Sequence, residues 1–482
     1  MLTGMGGVGK TQLAADYART AWDADNLDVL VWITASGRSS IMSGYAQAGI
    51  ELCRADPDDP DQAARAFLAW LTPKSAASPC RWLIVLDDVA DPADLNGLWP
   101  PASPHGRTLV TTRRRDAALT GEGRRLVEVG LFTEAEALTY LTTSLAAHGR
   151  TEPADQLTAL AADLGHLALA LSQAAAYLID SGDSIATYRR LLADHATHLT
   201  DLAPDALPDD QAVALGAAWH LSIARADTLR PAGLARPLLH LAALLDANGI
   251  PEDVLTGEIA CARLAAHRTA TGPGPRPTAE PVPVSRPDAV RALRALSRLS
   301  LIDHRPDVPH EAVRVHQLIQ RATRDTLTSD QRDQYARTAA GVLAAAWPEI
   351  ERDTAFAQAL RVNTEALTRH AEDALYRSDA YRVLYGLGRS FGKSGQTSAA
   401  ITHFQRLADT TTRRLGPHHP DTLTARYELA RWRGEAGDAA GAVDALAELL
   451  ADTVRVLGED NPQTLITRHS LARWRGEAGD AA

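Results

Sequence analysis

Residues 4–11 have the types and the spacing of a loop that binds nucleotide phosphates. They fit the pattern G-x-x-x-x-G-K-[ST] without a substitution, and they are Gly4, Met5, Gly6, Gly7, Val8, Gly9, Lys10 and Thr11. Glycines allow a tight turn in which successive backbone N–H groups point at phosphate oxygens. Lys10 would bring a positive charge to the β- and γ-phosphates, and the Thr11 hydroxyl can ligate Mg²⁺. We therefore predict a site for ATP or ADP with Mg²⁺, formed by these residues and by Gln12 beside them.

Two carboxylates end an apolar run further along the chain. Residues 82–86 are continuously apolar and lead directly to Asp87 and Asp88. A continuous apolar strand is typical of a parallel sheet that is buried on both faces, and ligands bind at the carboxyl ends of such strands. Asp87 would share the Mg²⁺ shell with Thr11, and Asp88 would orient or activate the attacking water. The alternative is an acidic turn after a core strand, which the loop upstream makes the weaker interpretation.

An arginine follows the next predicted strand. Residues 107–112 form a strand-like run that leads into Arg113, Arg114 and Arg115. An arginine at the carboxyl end of a strand can reach a γ-phosphate and report its presence. Three adjacent arginines also fit a solvated loop, so we select only Arg113, which follows the strand directly.

The elements that must position these residues alternate between strands and helices. Residues 11–23 predict a helix, whose apolar face carries Leu13, Ala14, Tyr17, Ala18 and Ala21. Further strands are predicted at 27–33 and 126–129, and a capping box at 133–136 starts the next helix. This order predicts an α/β P-loop fold, a parallel sheet with helices on both faces, that ends near residue 130.

Composition and charge narrow the classes of function. The formal net charge is −11, which argues against a general nucleic-acid surface, so DNA is not indicated as a partner. The cysteines at 53, 80 and 261 lack metal-ligand spacing and fit a reducing cytosol. No apolar run approaches the ~18 residues of a membrane span, and no signal peptide precedes the loop. We predict a cytoplasmic protein with no membrane partner.

The C-terminal part contains an internal repeat. Residues 429–440 recur identically at 471–482, a shift of 42 residues. This resembles the tetratricopeptide repeats of the kinesin light-chain type, whose stacked helix pairs form a curved groove that binds a protein or peptide. Trp432 and Trp474 occupy equivalent positions. They either line the groove beside neighbouring arginines or fill the core between helices, and we favour the core.

Both ends of the chain look interrupted. Only Met1–Thr3 precede the loop, whereas an ordinary strand has about five or six residues. The repeat array stops at Ala482, after the first helix of a unit. We therefore expect a fragment of a longer protein, with the effector outside it.

Taken in order, the motifs resemble those of the NB-ARC family of STAND signal-transduction NTPases. Residues 4–11, 83–88 and 111–113 match in type and separation, residues 164–171 resemble the family's G-L-P-L motif, and residues 315–317 resemble its Met-His-Asp motif. The resemblance covers residues 1 to about 330. It implies an ATP- or ADP-operated switch that acts as a slow ATPase.

The resemblance also implies roles for residues far from the loop. Leu167 and Ala168 would lie on the nucleotide in a helical domain, where Ala168 replaces a proline that contacts the adenine side. His316 would contact the β-phosphate of ADP from a winged-helix domain, and Gln317 replaces the acid of the family's motif. In this family the winged helix usually serves as an intramolecular lid.

We therefore predict a multidomain chain. Its parts are a P-loop NTPase domain (1–130), a helical domain (131–208), a winged-helix domain (209–330) with a proline-rich insertion (271–287), a helical connector (331–380) and tetratricopeptide repeats (381–482). Three functions compete. The first is a switch whose nucleotide state controls opening and self-association into a homo-oligomer in the ATP state, while the repeats bind a protein or peptide ligand. The second is a transcriptional regulator of the same architecture, and the third is a repeat scaffold with a structural nucleotide. Intact Lys10, Asp88 and Arg113 favour hydrolysis competence over the third function.

Overall fold

A computed structural model of the chain describes residues 1–57, 59–72, 80–114, 123–202, 210–269, 282–376 and 381–479. Within these ranges, a parallel sheet with helices on both faces forms the first part, and helices with one short hairpin form the remainder. The predicted fold class, an α/β domain followed by helical domains and an α-solenoid, is confirmed. In the described part of the chain, no helix combines the length and the apolar character of a membrane span.

The sheet has five strands in the order β2-β3-β4-β1-β5. They are β1 (Leu2–Thr3), β2 (Val29–Thr34), β3 (Trp82–Val89), β4 (Gly106–Thr112) and β5 (Val127–Glu128). Although β1 has only two residues, it is a central strand, because Leu2 lies opposite both Thr111 and Val127. All pairings are parallel, so the carboxyl ends of β1, β3 and β4 meet at one end of the sheet. This topology brings the loop, the two aspartates and Arg113 together.

Strand β3 is continuously apolar from Trp82 to Leu86 because this part of it is covered on both faces. The first three helices are α1 (Lys10–Asp23), α2 (Arg38–Cys53) and α3 (Pro60–Trp70). Leu83 and Val85 pack in the cluster formed with α1, and Ile84 and Leu86 pack in the cluster formed with α2 and α3. Successive side chains of the strand therefore pack alternately into two apolar cores, one on each face of the sheet.

The predicted apolar face of α1 is only partly right. Ala14 and Ala18 are buried against the sheet, whereas Leu13 and Tyr17 are 47% and 41% exposed. The helix packs on the sheet through its small residues, and this close approach leaves the larger side chains at the rim.

A helical domain follows the sheet and is built partly on the phosphate-binding loop. Its helices are α4 (Glu134–Ala146), α5 (Ala154–Asp163), α6 (Ala168–Ser181) and α7 (Ile185–Leu202). The next helix, α8 (Asp210–Thr228), falls in the predicted winged-helix region and contributes residues to the apolar cores of both parts. The capping box predicted at Thr133 and Glu136 is present at the start of α4. Val8 of the loop is 3% exposed and belongs to the apolar core of this domain. The predicted boundary at residue 208 lies outside the described residues.

The next part combines five helices with a two-stranded hairpin. It consists of α9 (Ala235–Ala242), α10 (Glu252–Thr256), α11 (Glu258–Ala266), α12 (Arg286–Arg298), β6 (Asp303–His304), β7 (Val313–Arg314) and α13 (Gln317–Asp325). Strands β6 and β7 are antiparallel. The predicted insertion is shorter than 271–287, because Ser285 caps α12 and Pro287 lies in its first turn, where proline is tolerated. Residues 270–281 lie outside the described residues, and the winged-helix assignment stays a prediction.

Two connector helices lead into the repeats. They are α14 (Ser329–Ala346) and α15 (Thr354–Leu375), followed by α16 (Tyr381–Lys393), α17 (Thr397–Leu415), α18 (Pro420–Glu435), α19 (Ala439–Leu457) and α20 (Pro462–Glu477). One apolar cluster extends from Trp219 of α8 to Trp432 of α18. The connector and the first repeats therefore share a core with the preceding domain.

Candidate functional site

The loop between β1 and α1 holds three glycines with a positive φ, Gly4, Gly7 and Gly9, and the first two are also closely covered. Gly4 has a φ of +151°, and a Cβ there would lie 2.2 Å from the carbonyl oxygen of Val129. Gly7 has a φ of +81°, and a Cβ there would lie 3.3 Å from side-chain atoms of Leu167 and Leu318. The loop is thus strained for any other residue and closely covered by the segments that begin α6 and α13.

Lys10 lies against the carbonyl groups of its own loop. Its Nζ donates to the carbonyl oxygens of Gly4 at 2.9 Å and Met5 at 2.8 Å. Burial is the largest cause that lowers the pKa of Lys10, and the charge of Arg113 acts in the same direction. The negative charges of Asp88 and Asp87 oppose this decrease. An anionic ligand such as phosphate would compensate further for the burial of this cation, which is only 9% exposed.

Thr11 and Asp87 form a pair of oxygen ligands. The Thr11 hydroxyl donates to Oδ1 of Asp87 at 2.9 Å, and the Thr111 hydroxyl donates to the same oxygen at 2.5 Å. Burial raises the pKa of Asp87, and the two hydroxyl hydrogen bonds oppose this rise. Hydroxyl and carboxylate oxygens are ligands that Mg²⁺ accepts together with water and substrate phosphates. Among the described residues, no group of three or more His, Cys, Asp or Glu side chains is placed to hold a metal. A hydroxyl and a carboxylate are a donor pair that fits Mg²⁺ when substrate phosphates and water complete its shell.

Asp88 and Arg113 meet at the ends of β3 and β4. Asp88 has a φ of +59°, in the left-handed region that costs a non-glycine residue about 1–2 kcal/mol. Its backbone N–H donates to the Thr111 hydroxyl at 2.7 Å, which supports this conformation. The Nε atom of Arg113 lies 3.9 Å from Oδ1 of Asp88. The structure thus brings together the two residues that the sequence predicts to be catalytic.

Gln317, the first residue of α13, completes this group. Its Nε2 donates to Oδ2 of Asp88, and its Oε1 accepts a hydrogen bond from Arg113. The sequence marks Gln317 only as a departure from a family motif and contains no signal for these contacts. The sequence marks Thr111 as part of the motif at residues 111–113, but its hydrogen bonds to Asp87 and to the backbone of Asp88 are visible only in the structure.

His316 lies immediately before α13 and caps that helix. Its Nδ1 accepts the backbone N–H of Leu318 at 3.2 Å. Burial, together with the positive charges of Arg113 and Lys10, lowers the pKa of His316 to about 4. The imidazole is therefore neutral at pH 7, and because Nδ1 is the acceptor, the single proton resides on Nε2. An Nε2–H donor has the chemistry that a phosphate oxygen requires.

The other predicted residues differ in their contact with the loop. Leu167 is 1% exposed and lies over Gly7, next to Ala168, the half-buried first residue of α6. The part of Ala168 in binding a base stays a prediction. Met5 and Gln12 are exposed, which leaves both accessible to a ligand at the surface of the loop.

Comparison with known proteins identifies three parts of the chain. The NB-ARC domain family matches residues 1–149, a tetratricopeptide-repeat family matches residues 379–453, and a domain of unknown function (DUF7779) matches residues 225–332. The predicted NB-ARC domain and C-terminal tetratricopeptide repeats are confirmed. The third match overlaps the region predicted as a winged helix but assigns it no function.

The chain also aligns with individual proteins, at low sequence identity. The chain is 26% identical over 465 residues to a nucleotide-binding leucine-rich repeat (NLR)-like protein of Hyaloscypha variabilis. That alignment covers 88% of this chain but only 42% of the relative. A STAND protein with a tetratricopeptide repeat sensor from Pyrococcus horikoshii aligns at 12% identity and a TM-score of 0.41, over 99% of this chain and 74% of that one. The kinesin light-chain repeats of Podosopora anserina align at 19% identity and a TM-score of 0.27, over 40% and 79% of the two chains.

Proposed function

We propose that this chain, which carries an NB-ARC domain and C-terminal tetratricopeptide repeats, is a nucleotide-operated signalling switch. ADP with Mg²⁺ would stabilise α13 against the phosphate-binding loop, and ATP would favour an open form that associates with itself. A protein or peptide ligand on the repeats would shift the equilibrium towards that open form. The name of the relative from Hyaloscypha variabilis describes a nucleotide-binding protein, which supports the same class of function.

One observation carries this proposal: the start of α13 closes over the nucleotide site. A Cβ on Gly6 would lie 3.2 Å from the Leu318 side chain, so this leucine lies directly on the loop. His316 is close enough to Lys10 for the lysine charge to lower the pKa of its imidazole. A ligand bound between the loop and α13 interacts differently with closed and open forms. Its occupancy is therefore coupled to the domain arrangement.

We infer from the same site that the switch hydrolyses ATP slowly. The bound nucleotide with Mg²⁺ supplies the phosphoryl group, and Thr11 and Asp87 would hold the metal. Asp88 would orient the attacking water, and Arg113 would stabilise charge on the γ-phosphate. Both side chains lie at the same end of the sheet as Lys10, which supports these roles.

Retention of nucleotide by two lysine variants tests the proposed function. Lys10→Ala removes the charge that faces the phosphates, and we expect this variant to lose binding of ADP and ATP in the presence of Mg²⁺. Lys393→Ala is the matched control, because the Lys393 ammonium donates to the carbonyl of Glu349 on the surface near the repeats. This control should bind nucleotide as the wild type does.

Both variants should first be compared with the wild type by thermal unfolding, so that a loss of binding is not a loss of fold. Nucleotide released by acid is then quantified by chromatography, and Mg²⁺-ADP binding is measured by calorimetry. Equal nucleotide binding by the wild type and by Lys10→Ala would overturn the assignment, as would a wild type that binds neither nucleotide.

A further inference from the structure

We propose that Gln317 forms a polar clamp with Asp88 and Arg113 that withholds both side chains from hydrolysis while α13 lies on the nucleotide domain. The proposal rests on the proposed function for the catalytic roles of Asp88 and Arg113. The clamp itself, defined as these three side chains, rests on their contacts in the structure.

The three side chains form a closed ring across two domains. The Gln317 amide donates to Oδ2 of Asp88 and accepts from the Arg113 guanidinium, across separations of 229 and 204 residues in sequence. Nε of Arg113 closes the ring at 3.9 Å from Oδ1 of Asp88. The Asp88 and Arg113 side chains remain only 22% and 37% exposed. Each member of the clamp therefore contacts the other two.

A primary amide is chemically suited to this position. Its N–H₂ group donates to a carboxylate while its oxygen accepts from a guanidinium, so one side chain satisfies both partners. An acid at residue 317 would still accept from Arg113. However, its charge would repel Asp88, because two carboxylates at hydrogen-bond distance do not both ionise without cost. The glutamine that departs from the family's motif therefore stabilises the closed arrangement.

The start of α13 is held firmly enough to present Gln317 to its partners. His316 caps the helix, and Gln320, which is 2% exposed, donates to the carbonyl oxygens of Ala242 and Leu245. Leu318 rests on the glycines of the phosphate-binding loop. Displacement of α13 as a whole therefore carries Gln317 away from Asp88 and Arg113 together.

The clamp places both candidate catalytic groups in competing hydrogen bonds. Asp88 has one carboxylate oxygen committed to the amide and the other facing the guanidinium, so it is poorly placed to accept a proton from water. Arg113 is directed at Gln317, and its use on a γ-phosphate requires that bond to break. Release of α13 frees both groups at once, which links opening to hydrolysis competence.

Hydrogen–deuterium exchange in nucleotide-free protein tests the clamp directly. Backbone amides at the start of α13 exchange in proportion to the population in which this segment is open. Gln317→Glu and Gln317→Ala should raise the exchange rate of a peptide covering residues 315–325 roughly 10- to 100-fold, the range expected when a hydrogen bond to a charged group is lost. Gln62→Glu makes the same change of charge on the exposed surface of α3 and should exchange as the wild type does.

A double variant separates a specific clamp from general loosening. Combining Gln317→Glu with Asp88→Asn exchanges the donor and acceptor, because the introduced amide donates to the introduced carboxylate. The Arg113 bond to residue 317 is retained. Exchange in the 315–325 peptide should then return to within about threefold of the wild-type rate. Hydrolysis is not measured for the double variant, because that variant alters Asp88.

Single-turnover hydrolysis of ATP gives a second readout for Gln317→Ala, which should be faster than the wild type. Any one of three results would overturn the clamp. They are unchanged exchange in both single variants, an unchanged hydrolysis rate in Gln317→Ala, and a double variant that exchanges as fast as Gln317→Glu. Because exchange is measured without nucleotide, a failure of nucleotide binding in the Lys10 experiment leaves this test valid. If the wild type binds nucleotide normally but exchange is unchanged in the Gln317 variants, the clamp is overturned and the proposed function is not.

Discussion

Asp246 is a buried carboxyl group in the turn after α9. It is 5% exposed, and its backbone N–H donates to the Oδ1 atom of Asn363 at 3.1 Å. Burial is the largest cause that raises the pKa of Asp246, to about 7; the charges of Asp88 and Glu311 act in the same direction, and Arg369 and the backbone N–H of Asn248 oppose the rise. A single residue in this turn therefore titrates near neutral pH and lies within the electrostatic range of the nucleotide site.

Replacement of Asp246 should change the pH dependence of stability. An unfolded aspartate ionises near pH 4. The raised pKa in the folded state therefore contributes to the free energy of unfolding fully below about pH 4, and this contribution is lost as the pH rises to about 7. Asp246→Asn removes this titration, and its amide oxygen can still accept the N–H of Asn248. The Tm of the variant, relative to that of the wild type, should therefore increase as the pH is raised from 4 to 7.

Calorimetric scans at several pH values and constant ionic strength measure this difference. Titration of the buried histidines occurs in both proteins and cancels in the comparison. Asp303→Asn, a change at an exposed aspartate of the same domain, is the control. A Tm difference for Asp246→Asn that is independent of pH would contradict the prediction.

At the scale of structural elements, Trp432 and Trp474 each pack against a glycine in the first helix of the preceding repeat. A Cβ on Gly392 would lie 2.0 Å from the Trp432 ring, and a Cβ on Gly434 would lie 2.5 Å from the Trp474 ring. The two tryptophans are 6% and 2% exposed. They fill the core between helices, as the sequence favours, and do not line a groove.

Alanine at Gly434 should destabilise the repeats, because its Cβ would overlap the Trp474 ring. Overpacking of this kind costs roughly 1–3 kcal/mol. Gly476 occupies the equivalent position in α20, but a Cβ there meets nothing within 4 Å. Gly476→Ala should be neutral or stabilising by up to about 1 kcal/mol, since alanine is the better helix former. Thermal unfolding of both variants checks this contrast, and equal losses of stability would contradict the packing argument.

Helix α15 connects three parts of the molecule. Ser43 of α2 donates to Gln358 at 3.2 Å, and Arg361 donates to the Ser390 hydroxyl of α16 at 2.8 Å. Asn363, which is fully buried, bonds to the turn after α9. The region predicted as a connector is therefore packed against the nucleotide domain, the following domain and the first repeat helix.

At the scale of the whole molecule, the proposed switch predicts a defined effect of His316→Ala. Removal of the Nε2–H donor should speed release of ADP, because a bond from α13 to the β-phosphate is lost. The same change should favour the open form, so light scattering in the presence of ATP should detect larger species than in the wild type. His105→Ala, at an exposed histidine of the nucleotide domain, serves as the control.

Release of a fluorescent ADP analogue, chased with unlabelled ADP, measures the first effect, and scattering measures the second. If the release rate and the mass are both unchanged, His316 acts only as the cap of α13. A changed release rate with unchanged mass would instead confine its role to the closed form.

The sequence alone determined the features whose geometry is local. The spacing of residues 4–11 predicts a phosphate-binding loop because one turn and the start of one helix hold all of its groups. The apolar run before Asp87 predicts a buried parallel strand because burial on both faces excludes polar residues. The identity of residues 429–440 and 471–482 predicts stacked repeats because equivalent residues occupy equivalent positions in a solenoid.

Only the tertiary structure decided which distant side chains meet. The contacts of Gln317 with Asp88 and Arg113 depend on how α13 docks on the sheet, and no local pattern encodes that docking. Likewise, the exposure of Leu13 and Tyr17 follows from how closely α1 approaches the sheet through its alanines. Sequence periodicity indicates which residues share a face of one helix or strand. It does not indicate which residues of other elements cover that face, because that depends on how all the elements pack in the folded chain.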